Sequence, residues 1–232
     1  MSRSGACVGL TPLIVASTQA LCYQCLSAKV AGDITNQALN TVYQFKITLK
    51  DSKPPIWRRI QVPANYTFWD LHVAIQDSMG WQDCHLHRFE FPDPTVGIPH
   101  EVGLPFEVYD DDEPMAPSWG YKISRWFGSR KSITYQYDFG DDWRHAVILE
   151  KTLPRLADTD YPICVAGKRA CPPEDCGGTW GYERLLEIMQ DPEHEEYETL
   201  AEWLGGEIDS EYFDVSDVYF DDPGQRRNML YW

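Results

Sequence analysis

Three cysteines, Cys164, Cys171 and Cys176, fall in one Pro-rich stretch, and His145 lies on an alternating run upstream of it. Soft thiolates and one imidazole are a ligand set for tetrahedral zinc, which would close if the stretch folds over the run. The gaps between the cysteines are wider than those of paired zinc knuckles. His145 also alternates in phase with Trp143, Val147 and Leu149, which fits a hydrogen-bonded histidine on a core face, with the thiols as buried structural groups. A second constellation is oxygen-rich. Asp138, Asp141 and Asp142 crowd one turn, and with Glu174 and Asp175 they could gather carboxylates around a divalent cation for phosphoryl or hydrolytic chemistry. Against this, Asp and Gly140 suit turns for their own backbone reasons, and Pro172-Pro173-Glu174-Asp175 reads as a tight turn or a helix start. Cys22-Tyr23-Gln24-Cys25 is a two-ligand fragment that Cys7 alone does not complete.

Several other chemistries are excluded by what is missing. Asp138-Phe139-Gly140 matches the kinase magnesium tripeptide, but the glycine-rich loop, the strand lysine and the catalytic loop are absent. His85-Leu86-His87-Arg88 superficially resembles a recombinase phosphate clamp, yet it sits on a strand of an acidic chain. The chain carries 36 acidic against 20 basic residues, a net charge of −16, and that field repels a phosphate backbone. Direct nucleic-acid binding is disfavoured, and of Trp57, Trp69, Trp81, Trp119, Trp126, Trp143 and Trp180 most read as core aromatics, not base-stacking platforms. Residues 183–222 hold fifteen Asp or Glu and one basic residue, Arg184, so this part is solvated or meets a basic partner. Seven cysteines, an odd count without a tight framework, point to reduced thiols in the cytoplasm, and the stretch from Val8 to Leu26 is too polar to span a membrane.

The elements that must position these groups follow from periodicity. Tyr43, Phe45, Ile47 and Leu49 alternate with polar residues, and Ile56, Arg58, Ile60 and Val62 resume the period of two after Pro54-Pro55. Thr67 caps an amphipathic helix over 67–79 that Gly80 ends. Leu86 to Phe91 reads as a strand, a Pro- and Asp-rich crossing follows, and Gly140-Asp141-Asp142 closes a second hairpin over 132–151. Beyond a Cys- and Pro-rich loop at 161–178, helices are expected near 180–190 and 194–204. The fold class is α+β: a β-grasp-like mixed sheet with an amphipathic helix, a second β-hairpin and an acidic helical C-terminal part. At 43% hydrophobic and 13% aromatic residues the chain can fill a sizeable core. Residues 1–40, poor in aromatics, read as a helical or poorly ordered extension, 41–222 as the domain, and 223–232 as a tail.

Three stretches in this order resemble the plasmid pRiA4b open-reading-frame-three-like family. They are Tyr43 to Phe91 with Pro54-Pro55-Ile56-Trp57-Arg58-Arg59-Ile60, Tyr137-Asp138-Phe139-Gly140-Asp141-Asp142-Trp143-Arg144-His145, and Ala170-Cys171-Pro172-Pro173-Glu174-Asp175-Cys176-Gly177-Gly178. The resemblance covers about residues 42–222 and implies an α+β domain often found beside mobile elements, with no settled activity. It marks Asp138, Gly140, Asp141, Trp143, Glu174, Asp175 and Gly177 as motif residues. With no complete catalytic set, the leading expectation is a non-enzymatic binding or adaptor domain for a protein partner, with the acidic face suited to a basic one. The alternatives are a metal-dependent hydrolase or nuclease centred on the Asp138 to His145 turn and the Cys171 to Cys176 loop, and a DNA-binding regulator; zinc, at the His145 and cysteine set, is the cofactor expected.

Overall fold

Tyr43, Phe45, Ile47 and Leu49 are all buried in β1 (Thr41–Leu49) of the computed structural model, which describes residues 39–92, 98–105 and 115–230. Almost all of the 1–40 extension, including Cys7, Cys22 and Cys25, lies outside the described residues. β1 pairs antiparallel with β2 (Trp57–Pro63), and Phe45 lies opposite Ile60, so the apolar alternations of both strands reach the same face. The chain then crosses the sheet in α1 (Phe68–Met79). Thr67 and Asp70 form a reciprocal capping box, Asp70 N donating to Thr67 Oγ1 at 3.1 Å and Thr67 N to Asp70 Oδ2 at 2.7 Å. Gly80, at φ 92°, ends the helix in the left-handed region.

The other strands are β3 (His87–Glu90), β4 (Glu101–Gly103), β5 (Ala116–Pro117), β6 (Ser132–Tyr137), β7 (Trp143–Pro154) and β8 (Ile163–Lys168). The sheet order is β5-β4-β3-β6-β7-β1-β2-β8, with β4 and β5 parallel and every other neighbour antiparallel. The fold is therefore α+β around one mixed eight-stranded sheet. Helices α2 (Ile123–Phe127), α3 (Gly178–Ile188), α4 (Tyr197–Leu204) and α5 (Pro223–Met229) complete it. Among the described residues no helix is long and apolar enough to cross a membrane.

Three elements depart from the expectations. The polar face of the amphipathic α1 is covered and not solvated: every residue in the helix except Asp70 and Asp77 is buried. Its outer face is covered by the segment expected to be a tail: Trp69 Nε1 donates to Pro223 O at 2.8 Å, and Arg226 on α5 reaches Asp77 at 2.6 Å. The irregular crossing after Phe91 contains β4, and the Cys- and Pro-rich loop contains β8, which extends the sheet beyond β2.

Candidate functional site

The register of the sheet sets the site. Pairing of His87 with Tyr137 brings the loop before β3 alongside the turn after β6, and Asp138 N donates to Leu86 O at 2.9 Å. The Tyr137 hydroxyl joins three loops. It donates to Glu174 Oε1 at 2.6 Å and accepts from the backbone amides of Cys84 at 2.9 Å and His85 at 3.3 Å. Trp81 stacks on Tyr137 at a centroid separation of 5.1 Å and donates through Nε1 to Pro172 O at 3.0 Å. Asp141 Oδ2 accepts from Gly177 N at 3.1 Å. Gly178 approaches so closely that a Cβ there would lie 2.5 Å from Asp141 O, at a φ of +69° that only glycine adopts freely. The two motif stretches, far apart in sequence, thus form one surface with the loop after α1.

Three of the five carboxylates that could have shared a cation have separate partners. Asp141 holds the Gly177 amide, Asp142 bonds Arg144 Nε at 2.9 Å and the Gln136 amide, and Glu174 takes Tyr137 and Gln82 N. Only Asp138 and Asp175 face a common group, and it is His85, which the sequence pattern offered as part of a phosphate clamp and not as a metal ligand. Nε2 of His85 lies 3.7 Å from Asp138 Oδ2 and 3.0 Å from Asp175 Oδ1. Asp138 is nearly buried and anchors the turn by accepting from Gly140 N at 2.8 Å. Asp138, Asp142 and Asp175 all have positive φ, at 54°, 55° and 59°, a region that Asp tolerates better than most residues.

His145, Cys164, Cys171 and Cys176 do not converge. Among the described residues no three of them bring ligand atoms within 4.8 Å of one another. The reason lies in β7, whose alternation turns His145 into the core with Trp143 and Val147, where its ring meets Trp81 edge-on at 5.3 Å. The core face is as expected: burial lowers the pKa of His145 to about 3 against loose backbone contacts with Tyr135 and Trp143, and neither ring nitrogen makes a hydrogen bond of good geometry among the described residues. Burial also pushes the Cys171 and Cys176 thiols up to about 12, so both are protonated at neutral pH. The four described cysteines are free.

A second group behind α1, His72, Asp83 and His87, also has ligand atoms within 4.8 Å, and its geometry argues against a shared ion. The His72 and His87 rings stack at 3.5 Å with planes 11° apart. A metal must lie in the plane of each imidazole that binds it, and two nearly parallel planes at that spacing do not meet at one ion. The His72 ring instead belongs to a buried chain of hydrogen bonds, and His87 Nε2 lies 3.4 Å from Ser118 Oγ. Gln76 Nε2 donates to the Tyr135 oxygen at 2.9 Å, leaving the Tyr135 proton for His72 Nδ1 at 2.8 Å and His72 Nε2–H for Asp83 at 2.8 Å. Burial and then the neighbouring His72 hold His87 well below its ordinary value, so it is neutral. Tyr135, His72 and His87 are all inaccessible, so the chain is structural.

Beside the Tyr137 junction opens a cleft of about 560 Å³. It lies between the Trp81 to Cys84 loop, the Cys171 to Asp175 loop and the end of α4, with Trp203 and Leu204 on its far side. Glu174, Asp175 and Glu207 line it, and none of its described lining residues is Lys, Arg or His. The negative potential registers on Cys84, whose thiol is raised by burial first and then by Glu174, Asp175 and Asp83. Trp203, 47% exposed, and Asp175 also line a neighbouring cleft between α3 and α4.

The comparisons with known proteins follow this architecture. The uncharacterised protein y4hQ of Sinorhizobium fredii is 36% identical over 165 residues, 71% of this chain and 81% of y4hQ. The crystal structure of MM3350, a protein of unknown function from Methanosarcina mazei Go1, superposes with a TM-score of 0.71 at 50% identity, over 78% of this chain and 99% of that one. The family model matches residues 41–217, which hold both motif loops and the cleft between them, and the chain belongs to the Plasmid pRiA4b ORF-3-like protein family.

Proposed function

We propose that the protein is a binding domain whose cleft takes a basic, extended segment of a partner protein. The supporting observation is the cleft's lining: apolar surface from Trp81, Trp203, Leu204 and Ile208 beside the carboxylates of Glu174, Asp175 and Glu207, with no cationic side chain among the described lining residues. A Lys or Arg side chain is complementary on both counts. Its methylenes lie along apolar surface while its head meets carboxylates or the face of an exposed tryptophan. The acidic C-terminal part adds long-range attraction, which raises the association rate at low salt. Proteins of mobile elements handle nucleic acid and carry basic segments for it, so an adaptor in that setting would find such partners.

Fluorescence anisotropy with a labelled Lys/Arg-rich peptide and a Glu/Asp-rich control tests this reading. Saturable binding of the basic peptide alone is expected, weakening as salt rises and falling several-fold in Glu207→Gln and in Trp203→Ala. Equal binding of both peptides, or basic-peptide binding that neither substitution alters, would refute it.

A further inference from the structure

We propose that His85, Asp138 and Asp175 form a binding site for a divalent first-row transition metal of the zinc or manganese type. The three side chains come from the loop before β3, the turn after β6 and the Cys-Pro-Pro-Glu-Asp-Cys loop, and their ligand atoms lie within 4.8 Å of one another. The separations suit a common ion. Ligands bound at about 2.1 Å stand roughly 3.0 Å apart at right angles and roughly 3.4 Å apart at the tetrahedral angle. The His85 nitrogen lies 3.0 Å from one carboxylate oxygen and 3.7 Å from the other, close to that interval.

A second observation is independent of these separations. Nε2 of His85 is inaccessible to solvent and makes no hydrogen bond of acceptable geometry, despite its closeness to Asp175. A ring nitrogen directed among carboxylates without a directed hydrogen bond suits a cation at their centre. The frame is also fixed before a metal arrives: Asp138 is held by its bond to Gly140 N, and the His85 amide by Tyr137. One imidazole and two carboxylates favour zinc, manganese or iron over calcium, which prefers an all-oxygen shell. Three protein ligands leave at least one coordination position for an exogenous group. Asp175 also lines the cleft, whereas His85 and Asp138 do not, so metal binding lost in His85→Ala is distinguishable from peptide binding lost in Glu207→Gln or Trp203→Ala.

Isothermal titration of the full, chelator-treated chain with zinc chloride, then manganese chloride, provides the test. One equivalent of metal is expected, with affinity reduced at least tenfold in His85→Ala and in Asp175→Asn, retained in Cys171→Ser, and unaffected by excess calcium. Asp175 is 69% exposed at its side chain, and Asn also tolerates positive φ, so Asp175→Asn keeps the fold and thermal unfolding verifies this. The inference is overturned by absence of binding at millimolar metal, by binding that survives both His85→Ala and Asp175→Asn, or by binding lost in Cys171→Ser.

Discussion

Replacing Tyr137 by Phe removes one oxygen and tests whether the three loops share a junction. The ring is fully buried against Trp81, so the substitution preserves packing and deletes only the hydroxyl. That hydroxyl donates a short bond to Glu174 at 2.6 Å and accepts from Cys84 N at 2.9 Å, with a longer contact from His85 N at 3.3 Å. A hydrogen bond to a charged group contributes about 1.5–3 kcal/mol, and a buried amide left without an acceptor costs about 1–3 kcal/mol. Glu174 keeps its bond from Gln82 N and the Cys84 and His85 loop is partly exposed, so relaxation and water recover part of this. The net expectation is a loss of about 2–4 kcal/mol, or a fall of roughly 4–16 °C in midpoint temperature for a chain of this length. Urea unfolding followed by tryptophan fluorescence measures it, with an unchanged denaturant slope as the control for two-state behaviour. A loss below about 0.5 kcal/mol would refute the reasoning, since it would place the hydroxyl outside any buried network.

Stability should also fall with acid, and His145 is one contributor that can be isolated. Its folded pKa, about 3, lies below the ordinary 6.5, so its contribution is complete above pH 6.5 and is lost as pH falls toward 3; His87 is shifted in the same direction. In His145→Leu the slope of unfolding free energy against pH between about 3.5 and 6 should drop by one proton's worth, about 1.4 kcal/mol per pH unit, and urea titrations across that range would register it. An unchanged slope would mean that the ring is hydrated in the folded protein. Gly178→Ala should destabilise by about 1–3 kcal/mol, because the residue has positive φ and its Cβ would strike Asp141 O, and thermal unfolding is sufficient to detect this. Arg226→Ala should release α5 from Asp77 and Asp221, seen as faster amide exchange in residues 223–229 and along the outer face of α1.

What the sequence discloses depends on how local the signal is. The capping box at Thr67, the alternation of β1 and the β6–β7 hairpin each rest on residues a few positions apart, and the structure contains them. β8 was hidden because its side chains are only half-buried or exposed and it exists by pairing with β2 across a bulge at Arg59 and Ile60. The covering of α1 by α5 was hidden for a similar reason: Trp69 on its outward face marks a contact, but nothing nearby in sequence points to Pro223. In the site, the resemblance marked Asp138, Asp141, Glu174, Asp175 and Gly177, yet their division of labour depends on which loop each one faces. Asp141 and Asp142 are neighbours in sequence and serve different partners, whereas His85 joins Asp138 only through the register of β3 and β6. The proposed zinc set failed for a legible reason. The alternation that put His145 in phase with Trp143 and Val147 already directed it into the core, away from the cysteine loop.

The central claim is that the cleft at the junction of these loops recognises a basic segment, and two exposed tryptophans among the described residues test it within one sample. Trp203 lines the cleft, whereas Trp180, 85% exposed on α3, does not. Indole NMR signals followed during titration with a Lys/Arg-rich peptide should show a saturable shift of Trp203 with Trp180 unmoved, and in Glu207→Gln the midpoint should move several-fold to higher peptide concentration. An unmoved Trp203, or equal shifts in both tryptophans, would contradict the account.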